Sequence, residues 1–115
     1  MDGDAAVIAC NEDDLPVGAA WYRFWGTEQH SYGYISSQIP ELAIAVRPDE
    51  RGLGIGHQLM NAILELAASQ GIDQISLSVE TENPVLNLYQ QHGCLPAQQN
   101  PGDWVMVAKR KRFFR

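Results

Sequence analysis

The chain has 115 residues, 45% of them hydrophobic, and a formal net charge of −6, which describes one domain able to bury about two thirds of its unfolded surface without staples and excludes a disordered chain. No stretch approaches the roughly 18 apolar residues of a membrane span. The acidic start "MDGDAAVIACNEDD" is unlike a basic export leader, so a cytoplasmic protein with no membrane partner is expected.

The charge is unevenly spread. Five of the eight basic residues lie in the last seven positions, "KRKRFFR", leaving the first 108 residues with all 14 acids against three arginines. Such a surface repels nucleic acid, and the terminal basic run reads as a solvated end. The domain is therefore placed at 1–108 and the tail at 109–115. Cys10 and Cys94 form no CxxC pair and have no histidines at ligand spacing, so buried free thiols are expected, with no metal site and no disulfide.

In chain order, "AVIAC" (6–10) and "VGAAWYRFW" (17–25) are apolar runs joined by the polar "NEDDLP", a hairpin pattern. "GTEQHSYG" reads as a loop. "ELAIAV" (41–46) is apolar on both faces, as an interior strand is, and Pro48 stops it. From Ile55 the spacing changes to Ile55, Leu59, Ile63, Leu66 and Ala67, a helical stripe closed by Gly71. "QISLSVE" (74–80) alternates as a strand with serines on one side. "ENPVLNLYQQHG" predicts a short helix with Asn83 as N-cap, Pro84 at the first helical position and Gly93 at its end. "DWVMVAK" is a last strand, expected at a sheet edge. The predicted order is strand, strand, strand, helix, strand, helix, strand.

Between the third strand and the long helix lies "RPDERGLGIGHQLM" (47–60), with glycines at 52, 54 and 56. A strand, a glycine turn and a helix start gather unpaired N–H groups at the positive end of a helix dipole, an arrangement that binds anions. The glycines remove side chains that would hold an anion away and permit positive φ. Arg51 either contacts the anion or braces the loop. No Gly-Lys-Ser/Thr ending and no Gly-x-Gly-x-x-Gly occurs here, which argues against a nucleoside triphosphatase and a dinucleotide site.

These residues resemble the GCN5-related N-acetyltransferases (GNAT). The family's Arg/Gln-x-x-Gly-x-Gly/Ala motif is matched by Arg51, Gly54 and Gly56. Its strand, asparagine and Leu-Tyr pair are matched by "LSVETENPVLNLYQQHGC", with Cys94 where an aromatic is usual. The resemblance covers about residues 5–108. It implies an α/β fold, a twisted mixed sheet of the GNAT acyl-CoA N-acyltransferase type, shortened by the strand and two helices that precede the hairpin in the family. It also implies that the strands "ELAIAV" and "QISLSVE" splay to admit acetyl-coenzyme A (acetyl-CoA). The pantetheine arm would pair with backbone at Val46. The amides of Gly52, Leu53, Gly54, Ile55, Gly56 and His57, behind Arg51, would hold the pyrophosphate, and Asn83 would face the pantetheine. Tyr89 is the family-matched acid for the departing thiolate, and Glu41 resembles the base of some members. His30, Tyr32 and Tyr34 are candidates for an acceptor pocket.

The function this implies is N-acetyl transfer from acetyl-CoA to a primary amine of a small molecule or protein. The alternative is a non-catalytic module that keeps only coenzyme A binding as a sensor or assembly domain. With the preceding wall absent, exposed apolar sheet is expected to drive homodimer formation.

Overall fold

A computed structural model describes residues 3–26 and 33–109. His30, Tyr32 and the tail beyond Lys109 lie outside the described residues. The elements are β1 (Ala5–Cys10), β2 (Pro16–Arg23), β3 (Glu41–Val46), a single 3₁₀ turn (Pro48–Glu50), α1 (Ile55–Ser69), β4 (Gln74–Glu80), α2 (Leu86–Gln91), β5 (Cys94–Asn100) and β6 (Asp103–Lys109). No helix among the described residues is long and apolar enough to cross a membrane.

The strands form one sheet in the order β1-β2-β3-β4-β6-β5. Its neighbours are antiparallel except β3 and β4, which α1 connects in parallel. The β1–β2 loop is organised by Asn11, whose Oδ1 accepts the amides of Asp13 and Leu15 at 2.9 and 3.0 Å. This is the local competition with regular structure that makes asparagine a turn residue.

The core lies on one face of the sheet. Tyr22, Leu42, Ile75, Leu77, Met106 and Cys94 point to that face and pack with Leu59, Met60, Ile63 and Leu64 of α1 and Tyr89 of α2. The buried side of α1 is broader than the stripe predicted for it. Met60, Leu64 and Ala68 form a second row beside Leu59, Ile63 and Ala67, and Leu66 is only partly buried. Helix α1 ends where Gly71 takes φ +77°, a conformation open to glycine at little cost.

Both helices cover the same face, and no described helix covers the opposite face over β1, β2 and part of β3. There Ile8 is 64% and Trp21 38% exposed, among Ala6, Cys10 and Ala45, also exposed. Cys10 is thus an exposed thiol and not a buried one. The alternation of β1 turns it outward with Ala6 and Ile8. Cys94 is buried as expected.

Two other expectations, for the last strand and for α2, are corrected. The last strand is not at an edge: β6 lies between β4 and β5, and the unpredicted β5 is the edge. Its sequence "CLPAQQN" is mostly exposed and bulged at Pro96, features that keep a strand tolerable at an edge and hide it from pattern reading. Ser76 is fully buried, its amide held by the Pro40 carbonyl at 2.9 Å. Helix α2 begins at Leu86 with Val85 as its N-cap, so Asn83 is not its N-cap and Pro84 is not its first residue.

Candidate active site

The parallel junction is where the sheet opens. Residues of β3 and β4 are in register at one point alone, Glu41 opposite Ser76. From Leu42 to Val46 the strands diverge, as the family resemblance implies. Beside the freed end of β3, between the start of α1 and the turn and helix of α2, lies a cleft of about 870 Å³, a size that suits a small-molecule site.

The amino end of α1 supplies its polar floor. The first hydrogen bond there runs from the Gln58 amide to the Gly54 carbonyl, so the amides of Ile55, Gly56 and His57 precede the helical ladder and remain as donors. Gly52 and Gly54 both take φ +82° with nothing within 4 Å of a built Cβ. They provide a left-handed turn and an open cradle. Gly56 serves differently. Its φ is not positive, and a Cβ there would lie 3.1 Å from Cδ2 of Leu88, so its smallness lets α1 approach α2. Arg51 braces the turn, its Nε donating to the Val46 carbonyl at 3.3 Å.

Across the cleft, the turn before α2 is fixed by Asn83, whose Oδ1 accepts the Val85 amide at 3.0 Å. Tyr89 lines the cleft yet is only 7% exposed overall. Burial, and secondarily the neighbouring Cys94 thiol, pushes its phenol up to about 12. Burial likewise pushes the Cys94 thiol up to about 12. Both groups are neutral well above physiological pH.

Of the sequence-predicted residues, Val46, Arg51, Gly52, Gly54, Ile55, Gly56, His57, Asn83 and Tyr89 meet in this one cleft. Two do not. Leu53 is 67% exposed and lies outside the lining, because the left-handed glycines on either side turn it outward. Glu41 sits at the point where β3 and β4 are still in register. Its Oε2 accepts the Gly33 amide at 3.0 Å, and its Oε1 is buried without a hydrogen bond among the described residues. Sequence reading missed Ile44, Ala45, Glu50, Pro84, Val85 and Leu88 of the lining. The apolar ones carry no chemical signature, although each adjoins a residue that does.

The sequence matches the model described as "Acetyltransferase (GNAT) family" over residues 1–94. It is 30% identical over 92 residues to mycothiol acetyltransferase of Clavibacter michiganensis subsp. michiganensis (strain NCPPB 382), covering 79% of this chain and 27% of that one. It is also 30% identical over 81 residues to L-methionine sulfoximine/L-methionine sulfone acetyltransferase of Pseudomonas paraeruginosa (strain DSM 24068 / PA7), covering 70% of this chain and 44% of that one. The chain thus spans less than half the length of either relative. In fold it resembles the PaiA N-acetyltransferase of Thermoplasma acidophilum, solved in complex with coenzyme A, with a TM-score of 0.73 at 19% identity over 92% of this chain and 60% of that one.

Proposed function

This chain belongs to the acetyltransferase (GNAT) family, and we propose that its cleft binds acetyl-CoA and that the domain transfers the acetyl group to an amine of a small molecule or protein. The observation that carries this reading is the meeting, in one cleft, of the free amides of α1 and the protonated phenol of Tyr89. The open cradle at Gly52 and Gly54 fits a diphosphate, since no Cβ occupies it. The side of Val46 turned away from β2, where β4 does not pair with it and Arg51 contacts its carbonyl, fits an extended amide-bearing arm, laid down as an added strand. The thioester supplies an activated acyl carbon: a C–N bond forms, the C–S bond breaks, and one proton passes in net from amine to sulfur.

The chain's residues manage that proton. Tyr89 offers its O–H toward the departing sulfur. For the proton lost by the amine we assign Glu41, acting through water; its Oε1, without a hydrogen bond among the described residues, supports the assignment. Asn83 holds the turn before α2 at the cofactor's edge through its bond to the Val85 amide. In the same reading the domain works in the cytoplasm as a homodimer, supported by the exposed sheet face around Ile8 and Trp21. A monomer mass by light scattering at micromolar concentration would overturn the dimer.

The test is calorimetric titration with acetyl-CoA, followed by thiol release with a panel of amines. Binding with turnover of at least one amine is the expected result. Binding with none would support the non-catalytic sensor instead, and no binding would remove both readings.

A further inference from the structure

His57 and His92 meet where α1 and α2 adjoin, with Nδ1 of the first 3.0 Å from Nε2 of the second. Their ring centroids are 5.2 Å apart and their planes are tilted by 39°. At that separation one ring must donate and the other must offer a lone pair. The pair can therefore carry one extra proton with the contact intact, but not two.

The two rings differ in place. His57 is in the first turn of α1 and lines the cleft; His92 follows the last residue of α2 and lies outside the lining. The amide of His92 is tied to the carbonyls of Leu88 and Tyr89, so its ring is carried by the end of the helix that bears Tyr89. Burial, then the neighbouring His57, lowers the pKa of His92. In one of the two arrangements this geometry allows, Nδ1 of His57 donates to a neutral His92. The Nε2 of His57 takes no part in that contact, and His57 lines the cleft together with Ile55 and Gly56.

In the empty cleft a cation there opposes the positive end of the α1 dipole, and with an anion in place it becomes favourable. Proton and anion binding are then linked. The other charged or titratable groups of the lining are Glu50 and Arg51 from the turn before α1 and Tyr89 from α2, while β3 contributes only Ile44, Ala45 and Val46. None of these side-chain types has an ordinary pKa near that of histidine, about 6.5.

We propose that His57 and His92 form a proton-sharing pair that is the titratable part of the phosphate site: His57 contacts a phosphate of the acyl carrier as the imidazolium, and His92 is a positioning residue that accepts its Nδ1 proton and aims Nε2–H at the anion. The inference rests on the assignment of the cleft to acetyl-CoA.

The experiment measures the Kd of 3′-dephospho-coenzyme A by calorimetry from pH 5.5 to 8.5. This ligand lacks the monoester phosphate, which itself titrates near 6. The unsubstituted protein is expected to bind roughly tenfold more weakly at pH 8 than at pH 6, as for loss of one charge-assisted hydrogen bond, and to take up protons on binding below pH 7. His57→Gln should flatten the profile at the weak level. His92→Leu should reduce the slope, and His92→Gln, which restores an acceptor, should recover most of it. A flat profile in a protein that binds the ligand well overturns the pair and leaves the cleft assignment standing. So does a slope unchanged by His57→Gln. Absence of binding of both this ligand and acetyl-CoA at every pH overturns the pair together with the cleft assignment.

Discussion

Replacing Tyr89 by phenylalanine tests the reaction with little disturbance to the fold. The ring belongs to the core and is retained, so stability should change by no more than about 1 kcal/mol, the net worth of an ordinary hydroxyl interaction. The catalytic effect follows from the phenol being held at about 12. A thiol has an ordinary pKa of about 8.5, so complete proton transfer from Tyr89 to a thiolate runs uphill by several pKa units, each about 1.4 kcal/mol. The phenol therefore stabilises the developing thiolate mainly as a hydrogen-bond donor, a contribution of about 1.5–3 kcal/mol for a charged acceptor. That converts to a loss of roughly 10- to 150-fold in kcat, below most of the range for full general acid catalysis. Thiol release at saturating acetyl-CoA, followed from pH 7 to 10, should show this loss with little change in KM for acetyl-CoA and an unchanged alkaline limb. A kcat within about threefold of the parent, or a loss confined to KM, would refute the donor role.

Other outcomes follow from the same geometry. Gly54→Ala forces a side chain into φ +82° and should cost about 1–2 kcal/mol in urea unfolding, together with weaker acetyl-CoA binding. Gly56→Ala meets only the flexible end of Leu88 at 3.1 Å and should cost less than Gly54→Ala in the same measurement. Ile63→Ala opens a cavity at a fully buried position and should lower stability by about 2–5 kcal/mol. Tyr89 and Cys94 both have folded pKa values raised to about 12. Their stabilisation is complete below the unfolded values, about 8.5 for the thiol and 10 for the phenol, and is lost as pH rises toward 12. Chemical denaturation between pH 8 and 11 should show that decline, and Cys94→Ala should make it shallower.

The hairpin, the interior strand and the long helix were legible because each satisfies its hydrophobic period within one short segment. The glycine loop was legible as a donor site because helix geometry alone leaves the amides before Gln58 unpaired. The strand β5 was not, because its polar residues and Pro96 suit an edge and imitate a loop. Nor was the role of Gly56, since a close approach to Leu88 depends on how two helices dock. The His57–His92 contact spans 35 positions of sequence and has no local signature. The exposure of Leu53 and the removal of Glu41 from the cleft lining likewise follow from the local course of the backbone, which a motif does not encode.

The single register point between β3 and β4 gives an interior strand one margin that behaves like a sheet boundary. Alternation along β3, fixed by its pairing with β2, turns the peptide groups of Leu42, Ile44 and Val46 toward that margin. The amides of Ile44 and Val46, beyond the register point, have no partner in β4, so they should exchange with deuterium faster than those of Ala43 and Ala45. A guest lying along the margin would slow them selectively, and that protection would mark its course through the protein one residue at a time.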